Sequence, residues 1–138
     1  MEVKLLEEQD VIQMQEVLED DNMVFNVDNL KNFINTKMAY GFIAKDNDRV
    51  VGFAYGYGLT RPDGKVMFYL HSIGVLPNIQ NKGVGSKMMD YIVSFAKENK
   101  FSEVFVITEK GNARACHVYE KSGFKNDIEN EIVYVCEF

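Results

Sequence analysis

The sequence predicts an α/β chain that forms one domain over residues 1–138. Runs rich in β-branched and aromatic residues alternate with segments of helical periodicity. A chain of this length suits a single hydrophobic core. The hydrophobic content of 46% contains no unbroken apolar run of membrane length, as expected for a globular chain.

The first third of the chain predicts one strand followed by two helices. The strand covers 2–6, and the first helix covers 8–19 until Asp20-Asp21-Asn22 breaks it. Four apolar residues of this helix and one glutamine fall near one face: Val11, Ile12, Met14, Gln15 and Leu18. Asn26 is suited to cap the second helix, which turns its apolar residues inward: Val27, Leu30, Phe33 and Ile34.

Strands over 40–45 and 49–60 predict a hairpin, because the turn residues 46–48 separate them. The second strand alternates large and small side chains. Its large residues are Val51, Phe53, Tyr55 and Tyr57. Its small residues are Gly52, Ala54, Gly56 and Gly58. The small face indicates either close helix packing or a surface that a substrate approaches.

After the turn signal at 61–65, a strand over 66–75 leads into a glycine-rich turn and a helix over 84–99. The turn reads Gln80-Asn81-Lys82-Gly83-Val84-Gly85-Ser86. Backbone N–H groups at a helix start lack intrahelical partners and favour an anion, most often phosphate. A Walker A loop and a Rossmann fingerprint are excluded: no lysine and hydroxyl residue follow Gly85 in order, and Met88 stands where a third glycine is needed.

The last third predicts a strand over 101–108, a helix between Asn112 and Gly123, and a final strand over 132–138. Asn112 suits the N-cap of that helix, and Gly123 suits the residue after its end.

The net charge of −6 without a basic tract argues against nucleic acid or an anionic membrane as partner. It favours either a cationic substrate such as an amine or a generic acidic surface. Cys116 and Cys136 form no Cys-x-x-Cys pair, and no cluster of His and Cys predicts a metal site. Since the first residues lack a signal peptide's apolar core, we expect a cytoplasmic protein.

Two segments carry a resemblance to a known family. The pattern Gln-x-x-Gly-x-Gly from Gln80 to Gly85 resembles motif A of the GNAT superfamily of acetyl-CoA-dependent N-acetyltransferases. The segment from Asn112 to Phe124, with Tyr119-Glu120-Lys121 and then Gly123-Phe124, resembles its motif B. The resemblance implies a mixed, twisted sheet with helices on both faces and acetyl-CoA in a cleft where two parallel strands splay apart.

The resemblance also implies roles for individual residues. Tyr119 would be the general acid that protonates the CoA thiolate. The backbone N–H of Val75 would bind the thioester carbonyl, while Ile73 and Gly74 contact the pantetheine and acetyl groups. The pyrophosphate would lie on the turn formed by Gln80, Asn81, Lys82, Gly83, Val84, Gly85 and Ser86. Lys82 is equally expected to be a solvated lysine, and Asn112 to contact the CoA arm as well as cap its helix.

The general base departs from the pattern of a similar branch, which contains aminoglycoside 3-N-acetyltransferases. That branch tends to carry an acidic residue where this chain has Ser72, and serine is too poor a base to replace it. His71 has a suitable intrinsic pKa, but it points to the opposite face of a regular strand unless a bulge intervenes. His117 is expected to be a surface or packing histidine.

The sequence therefore predicts transfer of an acetyl group from acetyl-CoA to a primary amine of a small molecule or peptide. The alternative is a non-catalytic acyl-CoA-binding or regulatory module, suggested by the missing carboxylate at Ser72. A homodimer is compatible with the sequence, and the acceptor amine is left open.

Overall fold

Among the residues that the structure describes, one mixed five-stranded sheet organises the chain, and its strands lie side by side in sequence order. The structure is a computed structural model that describes residues 1–128 and 130–138. The strands are β1 (Glu2–Leu5), β2 (Ala39–Asp46), β3 (Arg49–Thr60), β4 (Val66–Val75) and β5 (Glu103–Val106). Neighbouring strands are antiparallel except β4 and β5, which are parallel. A parallel pair needs a long crossover, and a helix provides it here.

The helices are α1 (Gln15–Asp20), α2 (Val27–Ile34), α3 (Val84–Glu98) and α4 (Ala113–Lys121). Short 3-10 helices cover Glu8–Gln13 and Pro77–Ile79. Two predicted caps are confirmed, since the Asn29 N–H donates to Asn26 Oδ1 at 2.9 Å and the Ala115 N–H donates to Asn112 Oδ1 at 3.1 Å. Within the described ranges, no helix is both long and apolar enough to cross a bilayer.

The two faces of the sheet are packed differently. Helix α3 lies so close to the small-residue face that a β-carbon on Gly52 would come within 2.8 Å of Met88 Sδ. The opposite face carries the large residues of β3, and Phe33 of α2 packs edge-on against Tyr55 and Tyr57 at 5.9 and 6.3 Å. The small residues therefore serve close helix packing, while the aromatic face is left for α1 and α2.

The core lies on both faces of the sheet. Phe42 packs on α3, with its ring centroid 5.2 Å from that of Phe95, so the next residue of β2, Ile43, faces the opposite side. Fully buried side chains of the core include Val11, Met14, Phe42, Ile43, Phe68, Leu70, Met88, Met89 and Ile92. Burying an apolar side chain of this size contributes about 1.5–3 kcal/mol, so these two layers stabilise the platform on which the β4 end is held.

The prediction of one continuous helix over 8–19 was wrong. Asp10 is 1% exposed, and its carboxylate accepts the Glu7 N–H at 3.0 Å and contacts the ammonium groups of Lys4 and Lys45 at 3.0 and 3.1 Å. These contacts hold the chain in a tight 3-10 turn, in which residues three apart share a face. Ile12 and Gln15, predicted to lie near one face with the buried Val11, Met14 and Leu18, are exposed, Ile12 to 75%.

The prediction of a last strand over 132–138 was also wrong. These residues adopt no regular structure and lie exposed beyond the sheet, which ends at β5. A strand is stabilised by its neighbour's hydrogen bonds and side chains, so a run of β-branched and aromatic residues without pairing does not form one. The segment leaves large apolar residues in water: Ile132, Val133, Tyr134, Val135 and Phe138.

Candidate active site

The sheet opens between β4 and β5. These strands pair only from Met67–Leu70 on β4 with Glu103–Val106 on β5, whereas β4 continues to Val75. Ile73, Gly74 and Val75 are therefore paired with β3 on one side and have no strand on the other within the described residues. Gly74 is exposed, and a β-carbon there would meet no atom within 4 Å. The free edge of β4 forms one wall of a cleft.

The backbone of Val75 points into that cleft. The Leu76 N–H donates to Val51 O on β3 at 2.9 Å. Because successive residues of a strand direct their backbone groups to opposite edges, the N–H and C=O of Val75 face the open side. The carbonyl accepts a hydrogen bond from Gln80 Nε2 at 2.9 Å, and the Arg114 guanidinium donates to Gln80 Oε1. Gln80 thus connects the end of β4 to the start of α4, a contact that the sequence did not reveal.

The turn before α3 presents backbone donors. Asn81 and Gly83 adopt φ values of +65° and +81°, and α3 begins at Val84. Within residues 1–128 and 130–138, the N–H groups of residues 81–86 donate to no protein acceptor. A β-carbon on Gly83 would meet no atom within 4 Å. The turn therefore offers unoccupied donors at a helix start with free space beside them, which is what an anion requires.

The other residues of the turn differ in exposure. Lys82 is exposed, Ser86 is half-buried and Val84 is buried, so Val84 anchors the turn in the core. Gly85 faces α4, where a β-carbon would lie 4.0 Å from Val118 Cγ2. The motif A turn and the motif B helix are therefore adjacent.

Helix α4 places Tyr119 half-buried, with its ring centroid 6.1 Å from that of Phe124. Burial, with a smaller contribution from Cys116, raises the pKa of the Tyr119 hydroxyl. The hydroxyl is protonated at neutral pH and can act as a proton donor. Its neighbour His117 is exposed, as predicted.

A β-bulge determines which face of the sheet carries the His71 side chain. Tyr55 pairs with Ser72 and Gly56 pairs with Leu70, so His71 is the extra residue on β4. Its ring lies 5.2 Å from that of Tyr55, and its Nδ1 is 2.9 Å from the Tyr69 hydroxyl. A regular strand would have turned His71 away from Ser72, but the bulge brings both to the aromatic face.

A carboxylate that the sequence analysis treated only as a helix stop lies beside them. The Ser72 hydroxyl donates to Asp21 Oδ2 over 3.5 Å, a long hydrogen bond. Asp21 follows the last residue of α1 and is exposed. Nothing in the sequence signals this proximity, since 51 positions separate the two residues.

The fold and this cleft define an acyl-CoA N-acyltransferase architecture, and comparison with known proteins agrees. Residues 8–124 match the model of the acetyltransferase (GNAT) family. The chain belongs to the GNAT family.

Individual relatives are distant in sequence. An uncharacterized N-acetyltransferase of Bacillus subtilis, YhfO, is 27% identical over 62% of this chain and 58% of its own length. The chain spans less than two thirds of the length of the first curated relatives it matches.

Two solved structures have the same fold. An aminoglycoside acetyltransferase from an uncultured soil metagenomic sample, in complex with sisomicin, has a TM-score of 0.82 at 23% identity and covers 99% of this chain and 95% of its own. Aminoglycoside N-acetyltransferase AAC(6')-Iy in complex with CoA has a TM-score of 0.79 at 17% identity and covers 99% and 100%. Aminoglycoside acetyltransferases are thus among the structural neighbours, in line with the sequence resemblance, and at this identity they establish the fold alone.

Proposed function

We propose that residues 1–138 form a single acetyltransferase domain that transfers the acetyl group of acetyl-CoA to a primary amine. The observation that carries the proposal is the free edge of β4 at Ile73–Val75 next to a turn whose N–H groups lack protein acceptors. One surface binds a thioester arm by strand-like pairing, and the other binds a pyrophosphate. The CoA complex of a structural neighbour supports the choice of cosubstrate.

The cofactor would lie along residues that the two motifs supply. Ile73 and Gly74 contact the acyl arm, and the Val75 N–H stabilises the developing oxyanion. The pyrophosphate lies on the N–H groups of the turn, with Asn112 beside the arm. The pyrophosphate-binding residues are Gln80, Asn81, Lys82, Gly83, Val84, Gly85 and Ser86.

In the reaction, the lone pair of a neutral amine forms a C–N bond with the thioester carbonyl carbon, and the C–S bond breaks. The nitrogen loses one proton, and the leaving thiolate takes one from the Tyr119 hydroxyl. The raised pKa of Tyr119 keeps that proton in place until the sulfur develops charge.

His71 is the proposed acceptor of the amine's proton. When its Nδ1–H donates to the Tyr69 oxygen, Nε2 retains a lone pair on the same face as Ser72. This histidine supplies a base that the strand lacks at Ser72, so the missing carboxylate does not require a non-catalytic module.

The test is release of CoA thiol from acetyl-CoA in the presence of amines, with the acetylated amine identified by mass. The proposal predicts amine-dependent release that saturates in both substrates. Binding of acetyl-CoA without release for any peptide, polyamine or aminoglycoside would identify the chain as an acyl-CoA-binding module instead.

The exposed segment 132–138 supports a homodimer as part of this proposal. Its apolar residues have the β-strand pattern, and the outer edge of β5 carries no strand among the described residues. In a dimer, the segment 132–138 of one copy would pair with the outer edge of β5 in the other copy, which covers the apolar segment and the strand edge together. Light scattering should give a dimer mass, and Val133→Lys with Val135→Lys should shift it to a monomer; a monomeric wild type would contradict it.

The cytoplasmic location is likewise proposed. Cys116 and Cys136 are free thiols, which fits a reducing compartment. Fractionation of cells would test it.

A further inference from the structure

An apolar pocket lies between the α1–α2 region and the aromatic face of β3. Its volume is about 200 Å³. The apolar residues of its floor and walls include Leu18, Met23, Leu30, Phe33, Phe53 and Tyr55, and Asn26 and Asn29 lie at its rim. Pockets for drug-sized ligands start at roughly 300 Å³, so this one suits a single apolar side chain.

The pocket opens beside a polar group of side chains. Tyr55 forms part of its wall and pairs directly with Ser72, whose hydroxyl reaches Asp21. The pKa of Tyr55 is raised by burial and, to smaller extents, by Tyr57 and Asp21. The charge of Asp21 therefore acts on the pocket wall that Tyr55 forms. Among the described residues, no lysine or arginine forms an ion pair with Asp21. The carboxylate is therefore available to an external cation.

Strand register fixes the distance between this pocket and the proposed acetyl position. Phe53 lies opposite Gly74, and Tyr55 lies opposite Ser72. Adjacent strands are about 4.8 Å apart and β4 lies between β3 and the free edge, so an acyl arm paired with that edge lies about two strand spacings, roughly 10 Å, across the sheet from β3. The ring of Tyr55, which forms part of the pocket wall, lies 5.2 Å from the ring of His71. An amine that reaches His71 can therefore place an adjoining side chain in the pocket.

We infer that the acceptor is the α-amine of a peptide whose first residue carries a bulky apolar side chain. The side chain occupies the pocket, and Asp21 binds the α-ammonium before its proton leaves. This inference rests on the proposed acetyltransferase function and adds the acceptor class. An α-amine has an unperturbed pKa near 7.7–8.0, so it needs little help to become the neutral nucleophile. A polycationic, polar aminoglycoside matches neither the size nor the apolar lining of the pocket.

The first experiment compares peptides that differ only in their first residue. Leucine, methionine or phenylalanine at the first position should give a kcat/KM at least about tenfold above alanine, because a missing methylene in an apolar pocket costs about tenfold or more. Equal rates for leucine and alanine, or a preference for aspartate or an aminoglycoside, would overturn the inference while leaving acetyl transfer intact. Absence of CoA release with every amine would overturn the proposed function itself.

Two pairs of variants locate the site. Asn29 is exposed at the pocket, and Asn29→Phe should fill it and reduce the leucine-to-alanine ratio at least about tenfold. The matched change Asn32→Phe, on the exposed part of the same helix outside the pocket, should keep the ratio. A ratio that Asn29→Phe leaves unchanged contradicts the pocket assignment.

Asp21→Asn should raise KM for the peptide about fivefold with kcat nearly unchanged, as loss of one partly exposed charge contact predicts. Asp20→Asn changes the neighbouring exposed carboxylate and should leave KM unchanged. Equal KM effects of the two variants would show that only the general negative field of the surface acts on the substrate.

Discussion

Two aspartates at opposite ends of one segment have contrasting surroundings. Asp10 is buried and receives hydrogen bonds from Lys4, Lys45 and the Glu7 backbone. Asp21 is exposed and shares one long hydrogen bond with Ser72. A carboxylate that is fully paired with protein groups is not free to bind a ligand. A weakly paired carboxylate at the mouth of a pocket is free to do so. The first region stabilises the fold, and the second is the one that we propose for binding.

The largest expected effect concerns the buried aspartate, Asp10. Asp10→Ala leaves two lysines facing a buried site without their counter-charge, so we expect the free energy of unfolding to fall by about 3–5 kcal/mol. Chemical denaturation measures it. Asp20→Ala, at an exposed position, is the control and should change stability by less than about 0.5 kcal/mol. Similar values for both variants would remove the distinction.

Ligand binding should stabilise the protein through the turn before α3. At a hundredfold excess over its dissociation constant, acetyl-CoA should stabilise the wild type by about 2.7 kcal/mol. Gly83→Val should abolish this stabilisation because the side chain occupies the space for the pyrophosphate. Since Gly83 has φ +81°, valine also strains the backbone.

Gly64 provides the matched control for that variant. It has φ +88° in the turn between β3 and β4, again with no atom within 4 Å of an added β-carbon. Gly64→Val should destabilise the fold comparably and keep the full acetyl-CoA shift. Loss of the shift in both variants would mean that strain, not an occupied site, explains the result.

Tyr119→Phe should lower kcat roughly 10²-fold while acetyl-CoA binding is retained, as expected for loss of a general acid. Steady-state kinetics and a thermal-shift titration separate the two effects. Turnover within twofold of wild type would make Tyr119 a packing residue.

The smallest effect is the acid dependence of stability. Burial alone would raise the pKa of Asp10, but the hydrogen bonds from Lys4, Glu7 and Lys45 outweigh it and lower the pKa below the ordinary value near 3.8. The stabilisation is therefore present above about pH 4 and is lost as pH falls toward the lowered value. Wild type should lose stability more steeply than Asp10→Asn in that range. Parallel pH profiles would contradict the pairing.

The sequence predicted most of the fold because its signals are local. The strand-turn-helix from Val66 to Glu98 and the capped helix after Asn112 follow from periodicity, glycine and caps. The two errors depend on contacts distant in sequence. Asp10 shortens the first helix through Lys45, and the segment 132–138 has the composition of a strand but pairs with no strand edge.

The residues of the candidate site likewise fall into those that local sequence signals indicate and those that depend on contacts distant in sequence. The glycine-rich turn before α3 and Tyr119 could be singled out from the sequence because they lie within motifs. Asp21 and the pocket could not, since they arise where the α1–α2 region folds over β3. His71 is intermediate, because its direction depends on one bulge that no residue type announces.

The central claim is that the open edge of β4 and the turn before α3 bind acetyl-CoA. Titration of acetyl-CoA into nitrogen-15-labelled protein tests this directly through backbone amide shifts. The account predicts saturable shifts concentrated at residues 73–75 and 81–86, with the amides around Asp10 unchanged. Shifts absent from both segments, or concentrated in the groove that runs along α3 beside Val3 and Tyr91, would contradict it.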